Sequence, residues 1–234
     1  MVHCAAQVSV VRSLEDPVED ASTNVLGTLN MLHESELAEV GKFVYVSSAA
    51  VFGNPKYIPI DESHPTNPMS NYGVSKLAGE KYTLAFAGTS KMTTVCVRPF
   101  NFYSPRADPD SPYSGVITTF VSRIREGLPP VVDGDGRQTR DFIHARDVAE
   151  MLRQVVHKGV PTGELYNCGS GVSTSILELA ELAISVTGKN LKPQFGPPRK
   201  GDIRQSLCNS SMAKQRLGFA PKIPLREGLA ELLR

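Results

Sequence analysis

Tyr72 and Lys76 stand four residues apart in the run Asn71-Tyr72-Gly73-Val74-Ser75-Lys76. On a helix, that spacing puts a phenol and an ammonium on one face. Further hydroxyls lie upstream, where Ser47 and Ser48 follow the apolar run Phe43-Val44-Tyr45-Val46. If that run is a strand of an α/β sheet, its end borders the ligand crevice, and the three kinds of group converge there. Such a set moves protons. A phenol ordinarily ionises at about pH 10, an adjacent ammonium favours the ionised form, and the phenolate then serves as a general base. The serine hydroxyl would hold the oxygen that loses its proton. Tyr–Lys pairs at this spacing also occur on ordinary packed helix faces, so the surrounding residues decide.

Those residues alternate between strand and helix patterns. From Asp16 to Glu39 the apolar residues Val18, Ala21, Val25, Leu29 and Leu32 recur at three- to four-residue spacing, which predicts a core-packed helix that Gly41 stops. Phe43–Val46 predicts a buried parallel strand, and the prolines 55, 59, 65 and 68 predict a loop over 54–71. A helix is expected over 71–87 and a strand over 94–98. Beyond Pro105 the pattern loosens, with helices expected over 116–126, 146–157, 176–186 and from Leu225, and strands near Val131-Val132 and over 164–168. The alternation predicts an α/β fold with a doubly wound parallel sheet and a smaller second region. Pro105, Pro109 and Pro112 mark the boundary.

Composition narrows the function. The chain has 234 residues, is 41% hydrophobic and 21% charged, and has a mean hydropathy of −0.16, all ordinary for a globular protein. Its 25 Lys and Arg balance 24 Asp and Glu, so no global field recruits nucleic acid or an anionic membrane. No apolar run reaches the roughly 18 residues that span a bilayer. The opening Met1-Val2-His3-Cys4-Ala5-Ala6 has no secretory pattern and reads as the end of a buried strand. Cys4, Cys96, Cys168 and Cys208 form no Cys-x-x-Cys pair, which predicts buried free thiols, no metal site and a reducing, cytoplasmic setting.

Further motifs surround the Tyr–Lys pair. Val44 to Gly53 reads Val-Tyr-Val-Ser-Ser-Ala-Ala-Val-Phe-Gly, and Asp61-Glu62, Pro65 and Glu80 flank the Tyr72 helix. Arg98-Pro99-Phe100-Asn101 precedes Pro105-Arg106, and Gly134-Asp135-Gly136 precedes Thr139-Arg140-Asp141-Phe142-Ile143-His144. Arg199-Lys200-Gly201-Asp202-Ile203-Arg204 and Leu217-Gly218-Phe219 close the series. In this order, across essentially the whole chain, these motifs resemble the extended short-chain dehydrogenase/reductase superfamily. Within it they resemble the NAD-dependent nucleotide-sugar epimerases and dehydratases, nearest the UDP-glucose and UDP-N-acetylglucosamine 4-epimerases.

That resemblance implies a Rossmann-type NAD domain over residues 1–106, and a region over 107–234 that mainly binds the nucleotide sugar. Residues 140–158 or so would return to the first. It makes Tyr72 the base, has Lys76 orient the nicotinamide ribose, and has Ser48 bind the sugar hydroxyl. Cys4, Ala5, Ala6, Asn24 and Phe100 would line the NAD site with Tyr72 and Lys76. Asn101, Arg140 and Arg199 would hold the diphosphate, and Asp202 the nucleoside; arginine's planar fork suits a diphosphate. The family's dehydratases and decarboxylases carry an acid just after the strand-end hydroxyl, where this chain has Ala49 and Ala50. The resemblance therefore favours 4-epimerisation of a UDP-hexose through a transient 4-keto sugar. Small Ser206, at a position bulky in enzymes that exclude N-acetyl groups, implies acceptance of UDP-N-acetylhexosamines as well.

Ser104 and Phe52 depart from the family pattern, where glycine and tyrosine are usual, without touching a proposed catalytic atom. The larger departure is the lack of a Gly-x-x-Gly-x-x-Gly strand–helix unit, since Gly134/Gly136 and Gly169/Gly171 lie far downstream. The expectation is a chain short by about two βαβ units at its N-terminus, binding NAD poorly by itself. Alternatives are a nucleotide-sugar reductase or dehydrogenase of the same superfamily, or an inactive nucleotide-sugar-binding fragment. A homodimer through a bundle of the 16–39 and 71–87 helices is a further implication.

Overall fold

The computed structural model describes residues 1–107, 115–199 and 201–234. In chain order it begins with β1 (Val2–His3), α1 (Val10–Glu15) and α2 (Pro17–Ala21). A π-helical turn over Ser22–Leu26 then leads into α3 (Gly27–Leu37) and β2 (Lys42–Val46). A 3₁₀ turn over Ala49–Phe52 precedes α4 (Asn71–Phe86), β3 (Thr93–Pro99), β4 (Asn101–Tyr103) and α5 (Val116–Arg125). After these come β5 (Val131–Asp133), β6 (Thr139–His144), α6 (Ala145–His157), β7 (Glu164–Cys168) and β8 (Ser173–Ser175). The remainder is α7 (Ile176–Thr187), β9 (Gln194–Gly196), α8 (Ser211–Leu217) and α9 (Leu225–Leu233).

Four parallel strands form the main sheet in the order β1-β2-β3-β7, with Val44 opposite Val95 and Val95 opposite Glu164. Its strands are continuous apolar runs because both faces are covered. Side chains alternate along each strand. Phe43, Tyr45 and Cys96 therefore pack with Leu32 of α3 and Leu84 and Phe86 of α4. Val44, Val95, Val97 and Tyr166 pack on the other face with Met151 and Val155 of α6 and Leu217 of α8. A separate apolar cluster joins α5, α7 and α9 through Phe120, Ile124, Leu179, Ala183, Leu229 and Leu232. The three-stranded sheet β4-β6-β8 and the pair β5-β9 lie beside it.

The segment from Asp16 to Glu39 differs from its sequence reading. Asp16 ends α1 and caps α2, its carboxylate accepting the Glu19 N–H at 2.9 Å ahead of Pro17. The π-helical turn then rotates the helix face. Its buried side is polar, with Asp20, Asn24 and Thr28 leading to Leu32 and Ser35. Val18 is 77% exposed and Ala21 is exposed too. Glu39, at φ 52°, makes the left-handed turn assigned to Gly41 from the sequence. The sequence reading passed over α1, β4, β6, β8, β9 and α8. Most are short or begin with polar residues, so no apolar period marks them. Cys96, Cys168 and Cys208 are buried free thiols as expected, whereas Cys4 is exposed. Pro109 and Pro112 of the expected boundary lie outside the described residues.

Candidate functional site

The proton-transfer set assembles where β1 and β2 end and α4 begins. Ser70 starts α4 by accepting the Gly73 N–H at 3.1 Å, which places Tyr72 in the first turn and Lys76 one turn further. Ser48 is extended, at φ −158°, and accepts the Ala50 N–H at 3.1 Å. Its side chain lies close enough to the Tyr72 phenol to favour the ionised form. Burial raises the pKa of the Tyr72 phenol, Ser48 opposes that rise, and the Asp20 charge adds to it. Ser47 has a different role. It donates to Glu80 Oε2 at 2.9 Å, and Glu80 receives the Arg98 guanidinium, Nε at 2.9 Å, in a fully buried pair. Ser47 and Ser48 therefore divide between scaffold and site.

Lys76 is 4% exposed, with its ammonium 4.4 Å from the centre of the Tyr45 ring. Among the described residues no carboxylate lies within 4.0 Å of it. Burial lowers its pKa to about 8, against the charges of Cys4, Cys96, Asp20 and Glu80, which favour the cation. The sequence reading had Lys76 draw the Tyr72 phenol towards ionisation. In the structure the influences on that phenol are burial, Ser48 and Asp20, and the ammonium faces Tyr45 instead.

The expected cofactor residues divide. Cys4 and Ala5 are exposed and Ala6 half-buried at the end of β1. Asn24 is different: it accepts the Gln7 N–H at 2.8 Å and donates to Gln7 O at 2.9 Å, Asp20 Oδ1 at 3.1 Å and Ser75 Oγ at 3.0 Å. Its amide ties the turn after β1 to α4. The Phe100 ring packs in a buried cluster with Val51, Phe52, Ile60 and Cys208. Small residues at the strand end, a phenol, and a buried ammonium without a counter-charge fit the nicotinamide-ribose half of NAD. Neither downstream glycine pair supplies a phosphate cradle there. A Cβ on Gly136 would lie 2.8 Å from Val132 Cγ1, so that glycine permits close packing.

A cavity of about 480 Å³ is lined by Asn101, Arg140 and Arg199, expected on the diphosphate, and by Asp202, expected on the nucleoside. Arg140 donates to Thr139 O at 2.7 Å and Ile203 O at 2.6 Å, and it pairs with Asp202. Burial lowers its pKa while Asp202 opposes the change. Arg199 has no ion-pair partner among the described residues. Ser206 is not among the lining residues; its N–H donates to Thr139 O at 3.1 Å. The sequence reading missed Val8–Val11, Asp133 and Gln138, which also line the cavity. Gln138 lies two residues before Arg140, so strand alternation places both on one side. Asp133 ends β5, the position at which ligand groups gather in such sheets.

Comparison with known proteins gives these features a family. A family model described as GDP-mannose 4,6 dehydratase matches residues 1–232. UDP-glucose 4-epimerase of Mycolicibacterium smegmatis is 38% identical over 98% of this chain and 73% of its own length. The structure of UDP-glucose 4-epimerase with UDP-glucose from Thermotoga maritima superposes with a TM-score of 0.94 at 35% identity, covering 99% of this chain and 75% of that one. The Thermus thermophilus UDP-glucose 4-epimerase complex with NAD gives 0.89 at 32% identity, over 99% and 75%. The chain thus spans about three quarters of these relatives. The strand-end hydroxyl, the Tyr–Lys helix and the two-arginine cavity accordingly sit on a shared α/β frame, and the chain belongs to the GDP-mannose 4,6 dehydratase family of NAD-dependent nucleotide-sugar epimerases and dehydratases.

Proposed function

We propose that this chain carries the proton-transfer and substrate-binding parts of a 4-epimerase acting on a UDP-hexose or UDP-N-acetylhexosamine. The observation that carries the reading is Ser48 next to the Tyr72 phenol, with the buried Lys76 ammonium one helical turn further on and alanine at positions 49 and 50. Methyl groups cannot handle the second proton that a dehydration needs. Epimerisation needs one base, and Tyr72 supplies it.

In this reading Ser48 hydrogen bonds the sugar 4-hydroxyl and Tyr72 removes its proton, then returns it to the oxygen of the transient 4-keto sugar. NAD, when bound, accepts the C4 hydride and gives it back to the opposite face. Lys76 meets the cofactor ribose, and the turn at Cys4–Ala6 lines the same site. Asn24 acts indirectly, by fixing that turn against α4. Arg140 and Arg199 provide charge-assisted donors to the diphosphate, with Asn101 beside them and Asp202 holding Arg140 in place.

Calorimetric titration with UDP tests the substrate half. Arg140→Ala should weaken UDP binding about ten- to a hundredfold, the usual loss for one charged hydrogen-bonding group. Unchanged affinity would remove this cavity from the reading. Parallel titrations with UDP-galactose and UDP-N-acetylgalactosamine settle whether the N-acetyl group is accepted.

A further inference from the structure

Lys76 poses a physical problem that its partners do not solve in the usual way. An ammonium 4% exposed has lost nearly all its water, and among the described residues no carboxylate lies within 4.0 Å. The charged or titratable groups that face it come from five elements or their ends: His3 on β1, Cys4 in the turn after it, Asp20 on α2, Cys96 on β3 and Glu80 on α4. Glu80 is already held by Arg98 and Ser47, and Asp20 by Asn24 and Gln7. None of these closes on the ammonium.

What lies against it is the face of Tyr45, in the middle of β2 and wholly buried. The ring centre is 4.4 Å from Nζ, and the phenol of the same side chain donates to the Lys76 carbonyl at 3.4 Å. That approach depends on Gly79, three residues along α4. A Cβ there would sit 2.4 Å from the Tyr45 oxygen, so any other residue would push helix and ring apart. One aromatic side chain thus meets both the backbone and the cation of the same lysine. An aromatic face attracts a desolvated cation through its quadrupole. Unlike a carboxylate, it does so without taking up the N–H donors of the ammonium.

We propose that Tyr45 is a positioning residue that seats the Lys76 ammonium and leaves its donors free for the cofactor. The inference rests on the reading that Lys76 meets the cofactor ribose, but the seat itself is a property of the ligand-free chain.

The test uses the whole chain with phenylalanine, then mono- and trifluorophenylalanine, at position 45. Fluorination drains the ring face while nearly keeping its shape, and thermal melts confirm that each variant folds. Lys76 is titrated by the NMR shift of its 13Cε carbon, and NAD affinity is measured on the same samples. Tyr45→Phe should titrate close to the unsubstituted chain. The trifluoro variant should titrate roughly one pH unit lower, a tenfold loss of preference for the cation. An unchanged Lys76 titration across the series overturns the seat. A titration that falls while NAD affinity stays constant supports the seat and overturns the cofactor role given to Lys76.

Discussion

The buried charges around the site are accommodated in opposite ways. Glu80, inside α4, and Arg98, near the end of β3, neutralise one another, and Ser47 adds a third hydrogen bond. Glu80→Gln keeps the shape but leaves Arg98 uncompensated, so denaturant unfolding should show a loss of about 3–5 kcal/mol. A loss under 1 kcal/mol would mean that water replaces the missing charge. Lys76 has no such partner, and its folded-state pKa, about 8, lies below the ordinary value of 10.5. Between those values the unfolded chain binds more protons, so unfolding free energy should rise with pH across that window. The cost of the desolvated cation is fully present below about pH 8 and gone above about 10.5. Lys76→Met should remove this slope from a pH series of chemical melts. An identical slope in the variant would assign the effect to another group.

At the level of elements, sequence and structure agree where an apolar period is long and unbroken. Thr93–Pro99, Asn71–Phe86 and Glu164–Cys168 fall within a residue or so of their predicted bounds, and Glu164–Cys168 coincides with them. Agreement fails between Asp16 and Glu39 for an identifiable reason. The buried side there is chosen by hydrogen bonds, with Asn24 and Asp20 reaching Gln7, so the apolar residues Val18 and Leu26 are left facing out. A hydrophobic period cannot report a face selected by polar contacts. The site was legible in the same uneven way. The Tyr72–Lys76 pair and the strand-end serines follow from residue type and spacing, whereas the choice of Ser48 and the two cavity arginines came only from the family resemblance. The engagement of Asn24 and the burial of the Phe100 ring depend on partners distant in sequence, and so does the seat under Lys76.

Over the whole molecule, several apolar side chains are exposed on neighbouring helices. Val10, Val11, Leu14 and Val18 are exposed on α1 and α2, which pack against α4, where Val74 and Tyr82 are exposed as well. We propose that these side chains meet a second copy of this chain, the partner that the family resemblance implies. Leu14→Asp with Tyr82→Glu should convert a dimer to a monomer in light-scattering measurements at micromolar concentration. A double variant with the mass of the unsubstituted chain would place the contact elsewhere. Among the described residues no helix is long and apolar enough to cross a membrane.

The account stands or falls on Tyr72 as the base of an epimerisation. The direct measurement is proton NMR of the sugar during incubation with UDP-galactose and millimolar NAD, for the chain and for Tyr72→Phe. The account predicts UDP-glucose as the product, no net absorbance change at 340 nm, and a rate about a hundred- to ten-thousandfold lower in the variant. A 4-keto-6-deoxy product, or a variant as fast as the unsubstituted chain, would contradict it.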